Sequence, residues 1–266
     1  MTKIDLIKPS IVREGRWLLG GDWHSWYYDR RGIRLLFSIA KYFPWAGAVL
    51  MGDIHDFYQV SRYDKDPARG NNMQKELNVT IELLKQFRAC LGPDAVIKLL
   101  EGNHERRLEK GIRRHMPGMA SLDTNTVVRQ LHLGDLGIEL VPYDGRFYLA
   151  PGYLLKHGAG KNDDGCEYSG FAAYTARKNL EKFWCSGASA HTHRRGTYSV
   201  TKRGKTYTWD EIGCLCDRPK VGRDYANEPN WQLGCLEAIV DGRRVFPLPI
   251  AMDGGRCVVE GKEFRA

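Results

Sequence analysis

Five times along the chain a short apolar run stops and hands over to Asp, Asn or His, usually through a glycine or alanine. Trp17-Leu18-Leu19 leads to Gly21-Asp22-Trp23-His24, and Ala48-Val49-Leu50-Met51 leads to Gly52-Asp53-Ile54-His55-Asp56. Val96-Ile97-Lys98-Leu99-Leu100 leads to Gly102-Asn103-His104-Glu105, Tyr153-Leu154-Leu155 to His157-Gly158, and Cys185-Ser186-Gly187-Ala188-Ser189-Ala190 to His191-Thr192-His193. Apolar runs of that length bounded by turn residues read as buried strands. Between the early runs lie helical stretches, the clearest with Leu77, Ile81, Leu84, Phe87 and Leu91 at helical spacing. Strand and helix in alternation predict an α/β fold. Open α/β sheets bind ligands beyond the carboxyl ends of their strands, so these polar tips are candidates for one shared site.

After His193 the texture changes. Thr197–Thr201 and Thr206–Trp209 flank a Lys202-Arg203-Gly204-Lys205 turn and read as a hairpin. Further runs at 236–240 and 244–248, split by Asp241-Gly242, predict a second, largely antiparallel sheet. Nothing resembles an interdomain linker, so residues 1–266 are expected to form a single domain of two packed sheets. With hydrophobic residues at 42% and charged residues at 27%, a core of that size is available and wholesale disorder is excluded. The net charge of +8 biases the partner toward a phosphate or nucleic acid. Seven scattered cysteines, an odd number, suit a reducing compartment. Cys214 and Cys216 read as neighbours on one strand, since no second pair completes a metal set. Lys3, Asp5, Lys8, Arg13 and Glu14 interrupt any leader-like apolar stretch, and no run reaches the roughly 18 apolar residues of a spanning helix. The expectation is a soluble, cytoplasmic chain with no membrane partner.

A single Asp-x-His or Gly-Asn-His is what caps and turns produce; all five blocks in order are a different matter. Together they offer oxygen and imidazole donors without a thiolate, which suits Mn, Fe, Zn or Co in a two-metal site. In their order the blocks resemble those of the calcineurin-like metallophosphoesterase superfamily: Asp-x-His, Gly-Asp-x-x-Asp, Gly-Asn-His-Asp/Glu, a lone His followed by Gly, and Gly-His-x-His. The one departure is Ala190 in place of the last glycine. The resemblance implies a sandwich of two mixed β-sheets flanked by helices. It also implies that Asp22, His24 and His193 hold one divalent metal, that Asn103, His157 and His191 hold a second, and that Asp53 bridges them. Mn is the favoured ion, with Fe, Zn, Co or Ni as alternatives. A hydroxide shared by the metals would attack phosphorus, with Asn103 and Asp53 in the reacting centre, and His104 would protonate or hydrogen-bond the departing oxygen. Asp56 and Glu105 would orient ligand or catalytic imidazoles.

Outside that set, His55 reads as structural, and His115 and His132 as surface or packing residues. Two basic clusters, Arg106, Arg107, Lys110, Arg113 and Arg114 and then Arg194, Arg195, Lys202, Arg203 and Lys205, follow metal blocks directly and are expected to rim the site. Trp23, Trp26, Tyr27, Tyr28, Phe57 and Tyr58 read mostly as core beneath the loops. Asp56 is followed by Phe57-Tyr58, without the Asp-Arg-Gly of protein phosphatases, so the resemblance favours a phosphodiesterase acting on nucleotides or nucleic acid. A phosphomonoesterase of small compounds and a non-catalytic scaffold of the same fold are the alternatives.

Overall fold

A computed structural model describes residues 13–65, 67, 72–158, 165–222 and 229–266; Lys3, Asp5 and Lys8, read above for a leader, lie outside them. The first half of the chain alternates as its sequence suggests: β1 (Gly15–Gly20), α1 (Arg30–Tyr42), β2 (Gly47–Leu50), α2 (Met73–Leu91), β3 (Val96–Leu100), α3 (Arg106–His115), α4 (Val127–Gln130) and β4 (Ile138–Val141). β1 to β4 run parallel, with Gly20 beside Leu50 and Leu50 beside Leu99, so the strands end level and deliver their polar tips to one edge. Helix starts are capped where the sequence allows: Asp29 accepts from the Gly32 N–H at 2.7 Å and Asn72 from the Lys75 N–H at 2.9 Å.

β5 (Phe147–Ala150), β6 (Tyr153–Lys156), α5 (Tyr174–Phe183), β7 (Ser186–Ser189), β8 (Arg195–Lys202) and β9 (Lys205–Ile212) follow. They build a second sheet in the order β5-β6-β7-β9-β8. Its centre is parallel, β6 to β7 to β9, and its edges are antiparallel. This corrects the expectation of a largely antiparallel second sheet. The chain continues through α6 (Arg218–Gly222) to β10 (Gly234–Asp241) and β11 (Arg244–Ala251). These strands, expected in the second sheet, instead extend the first, which runs β11-β10-β1-β2-β3-β4. The physical reason lies in β10, buried on both faces at Cys235, Leu236 and Ala238; it fits between β1 and β11, where one face meets helices and the other meets the opposite sheet. β12 (Arg256–Val259) and β13 (Lys262–Arg265) form a separate small ribbon.

Period-two alternation then sorts side chains between layers. Trp17, Leu19, Val49 and Met51 face the second sheet and pack with Leu149, Leu155, Ala188, Leu236 and Ala238. Leu18, Ala48 and Leu50 face the opposite way, onto Leu36 and Ile39 of α1 and Leu84 and Phe87 of α2. On the outer face of the second sheet Leu154 and Trp209 meet Ala176 and Leu180 of α5. The result is a mixed α/β architecture of two large mixed sheets, face to face and flanked by helices. No helix among the described residues is long and apolar enough to cross a membrane.

Candidate metal centre

The level strand ends bring all five polar tips into one cluster, with contributions from both sheets. Asp22, His24 and His193 form one group whose donor atoms lie within 4.8 Å of one another, and Asp53, His157 and His191 form a second. The Nε2 atoms of His24 and His193 face each other at 3.1 Å, and Asp22 Oδ1 lies 3.5 Å from His193 Nε2. In the second group His157 Nε2 is 3.2 Å from Asp53 Oδ2 and 3.0 Å from Asn103 Oδ1. Asp53 also groups with His24 and His104, so its carboxylate faces both halves of the site. The Asp22 carboxylate ties the halves together again, accepting the His191 N–H on Oδ2 at 2.9 Å.

The backbone under these residues is strained in a consistent way. Asp22, His24, Asp53, His191 and His193 all sit at φ between 47° and 63°, the left-handed region that L side chains avoid. Such conformations cost of order 1 kcal/mol or more each and concentrate where surrounding structure over-determines a functional geometry. Two glycines are required by the same crowding. A Cβ on Gly102 would come within 2.2 Å of Asp53 Oδ1, and Gly52, at φ +93°, would place one 2.6 Å from His157 Nδ1.

Around this cluster a set of carboxylates and carbonyls fixes orientation. Asp56 accepts from His24 Nδ1 at 3.2 Å and from His104 Nδ1, leaving both Nε2 atoms aimed inward. His157 Nδ1 donates to the Met51 carbonyl at 2.8 Å, which leaves its Nε2 toward Asp53. Glu105 corrects the expectation that it orients an imidazole. Its carboxylate instead accepts four backbone N–H groups, those of Asp53, Ile54, His55 and Gly102, at 2.7–3.1 Å. It is a peg that pins the β2 and β3 loops to each other.

Electrostatics follow from burial opposed by neighbours. Burial alone would raise the Asp53 and Asp56 carboxyls, yet the imidazoles of His104 and His157 around Asp53, and of His104 and His24 around Asp56, hold both well below the usual range. Burial would depress His157, but the Asp53 carboxylate holds it up to about 10. His191 goes the other way, to about 4, through burial and the charge on His157. His104 also falls to about 4, from burial and the Arg107 guanidinium against the pull of Asp53 and Asp56.

The donor set fits divalent metal ions. Asp22 Oδ1 is buried without a hydrogen-bond partner among the described residues, two imidazole nitrogens converge beside it, and the Asp53 and Asn103 oxygens converge on His157 Nε2. Oxygen and imidazole donors without a thiolate match the chemistry of Mn, Fe, Zn and Co.

No protein-family model matches the chain. It is similar to the Gene 54 protein of Mycobacterium phage D29, 28% identical over 222 residues that cover 80% of this chain and 84% of that protein. The Gene 54 protein of Mycobacterium phage L5 is 26% identical over 225 residues, with the same coverage of 80% and 84%. Among solved structures it is similar to Vps29 of Cryptosporidium parvum, with a TM-score of 0.44 and 13% identity over 96% of this chain and 100% of that one. A Vps29 single mutant from Entamoeba histolytica also gives a TM-score of 0.44, with 11% identity over 94% and 98%.

The remaining candidates divide. His55 points away from the cluster, its Nδ1 2.6 Å from Thr80 Oγ1 of α2. His115 and His132 are exposed, the latter 3.1 Å from Asp135. Cys214 and Cys216 do not share a strand; each makes an isolated bridge, and both thiols group with His193. Of the second basic cluster only the Arg194 end is near the site. Lys202, Arg203 and Lys205 lie at the far tip of the β8–β9 hairpin, about 23 Å along the strand from Arg195 at 3.3 Å per residue. Trp23 and Phe57 are core, and Trp23 packs against Phe37 and Phe87. Two neighbours of the site went unread. Trp231 stands with its ring 4.1 Å from that of His193, and Tyr168 lies 6.4 Å from His191. Neither belongs to a block or a periodic run, so local pattern carries no signal for them.

Proposed function

We propose that the chain is a calcineurin-like metallophosphoesterase: a two-metal phosphoesterase that hydrolyses nucleotide or nucleic-acid phosphodiesters. The observation that carries this reading is the convergence of Asp22, His24, Asp53, Asn103, His157, His191 and His193 from the ends of strands in both sheets, with Asp22, His24, Asp53, His191 and His193 on a strained backbone. Asp22, His24 and His193 would hold one ion and Asn103, His157 and His191 the other, with Asp53 between them. When bound, a pair of divalent cations supplies a nucleophile at neutral pH and offsets the charge developing on phosphoryl oxygens.

The protein's own groups do the rest. Asp56 fixes His104 through Nδ1 and leaves Nε2, which accepts from Arg107 Nη2 at 2.8 Å, as the atom that would meet the departing oxygen and, once protonated, donate to it. The same carboxylate fixes the His24 ring. Asn103, at the mouth of the second group, orients a nonbridging oxygen through its amide.

A second reading, a phosphomonoesterase, has one observation in its favour. The diester preference rests on the missing arginine of the second block, yet Arg107 of α3 reaches the end of that block, donating to the Asp56 carbonyl at 2.9 Å with its Nη2 2.8 Å from His104 Nε2. A fixed cation there faces the additional charge of a monoester. The test is kcat/KM for bis(4-nitrophenyl) phosphate against 4-nitrophenyl phosphate after loading with Mn. The diester is expected to be the better substrate, and a monoester advantage transfers the assignment to the second reading.

A further inference from the structure

Beside Asn103 the surface opens into a cavity of about 360 Å³, walled by residues Val60 to Tyr63 on one side and by one face of α3 on the other. Its charged lining is Arg62, Arg107, Lys110 and Arg114, with no carboxylate among the described lining residues. Positions 107, 110, 111 and 114 recur at i, i+3, i+4 and i+7 and therefore share a helix face, while Leu108 and Ile112 turn into the core. Gly111 permits the close approach that makes the wall: a Cβ there would stand 2.9 Å from the Val60 carbonyl oxygen. From Arg107 to Arg114 the helix advances roughly 10 Å, a ridge of cations leading away from the metal cluster.

Charge on this helix is sorted rather than scattered. Arg113, on the outer face, is paired with Glu109 at 2.6 Å, and Arg106 lies over the Tyr143 ring at 4.4 Å. The cations that turn toward the cavity are the three on its face, and Arg107 joins them to the site. Its Nη1 donates to the Asp56 carbonyl at 2.9 Å and pairs with Asp56 Oδ1 at 3.3 Å, and its Nη2 stands 2.8 Å from His104 Nε2. Cationic side chains gathered on one concave wall attract an anion. Guanidinium forks match phosphate oxygens in pairs, so phosphate is the anion this wall recognises best.

We propose that this cavity is a subsite for a second phosphate group of the substrate, next to the scissile one. The inference rests on the phosphodiesterase reading above and narrows it to substrates with more than one phosphate. That phosphate has two sources, the polyphosphate of a nucleotide or the adjoining phosphate of a strand.

The experiment compares thymidylyl-thymidine with its 5′-phosphorylated form. Calorimetry in the presence of a chelator gives Kd without turnover, and Mn loading then gives kcat/KM. The phosphorylated form is expected to bind about tenfold tighter or more, the worth of a charge-assisted contact or two. The double variant Lys110→Gln/Arg114→Gln abolishes that advantage, whereas Lys202→Gln/Arg203→Gln at the hairpin tip retains it. Equal affinities for the two forms, or an advantage that survives in the first double variant, overturn the subsite. A phosphate-dependent advantage with no cleavage of any diester leaves the subsite standing and overturns the phosphodiesterase reading instead. ATP as competitor separates the sources: competition equal to the dinucleotide's assigns a nucleotide, and weaker competition assigns a strand.

Discussion

Glu105 supports more of the site than any single residue of the cluster does, because four backbone N–H groups end on one buried carboxylate. Each donor left unsatisfied in the interior costs about 1–3 kcal/mol. Glu105→Ala is therefore expected to lower stability by about 3 kcal/mol or more in denaturant unfolding, and to loosen the Asp53 loop enough to weaken metal uptake. A loss under about 0.5 kcal/mol, the level of an ordinary surface change, would remove that role. His104 makes the opposite case, a residue whose removal should spare the fold. His104→Ala is expected to keep the metals and slow diester turnover by roughly 10² to 10⁴-fold, the usual worth of a positioned acid or base. The loss should shrink for a nitrophenolate leaving group, which departs without a proton; equal losses on nitrophenolate and alkoxide esters would take the leaving-group role from His104. The residues that converge here were legible in the sequence because a strand that ends in Gly-Asp or Gly-Asn-His advertises a polar group where no core can use it. Glu105 was legible as a partner but not as a backbone peg, since what a carboxylate accepts from depends on loops that only tertiary packing brings near.

At the scale of elements, β9 carries a buried carboxyl with an unusual balance. Burial pushes Asp210 up from 3.8 to about 6, opposed by the Thr197 hydroxyl, which donates to Oδ1 at 2.6 Å. The folded chain then holds this proton more tightly than the unfolded one, so the contribution is most favourable below about pH 4 and is lost as pH rises toward 6. A shift from 3.8 to about 6 is worth about 3 kcal/mol. Asp210→Asn keeps the oxygen that Thr197 reaches and removes the titration. Its stability relative to the parent should rise between pH 4 and pH 7; parallel pH profiles would contradict the assignment. The elements differ in how well they could be read. Helical phase was present in α3, where 107, 110 and 114 separate from 106 and 113 at 100° per residue, yet counting its charges as one cluster hid the sorting. The placement of β10 and β11 was not local information at all. An apolar strand of that kind fits either sheet, and the choice is made by β1, which lies far away in sequence and leaves an edge open.

For the molecule as a whole, the two sheets meet twice: through the apolar layer around Trp17, Leu155 and Ala188, and through the polar cluster at their shared edge. The apolar layer is generic to a packed sandwich. The cluster is not, since it brings imidazoles from the second sheet against carboxylates from the first. A divalent ion bound there would link the sheets and stabilise the folded chain by mass action. Activity and occupancy should consequently rise together. The decisive measurement titrates the metal-free protein with Mn while following bound metal and hydrolysis of bis(4-nitrophenyl) phosphate in the same samples. Turnover is expected to climb to a plateau at about two ions per chain, with Asp53→Ala binding neither ion and showing no turnover. Binding that stops at one ion, or full occupancy without hydrolysis of any ester, would contradict it.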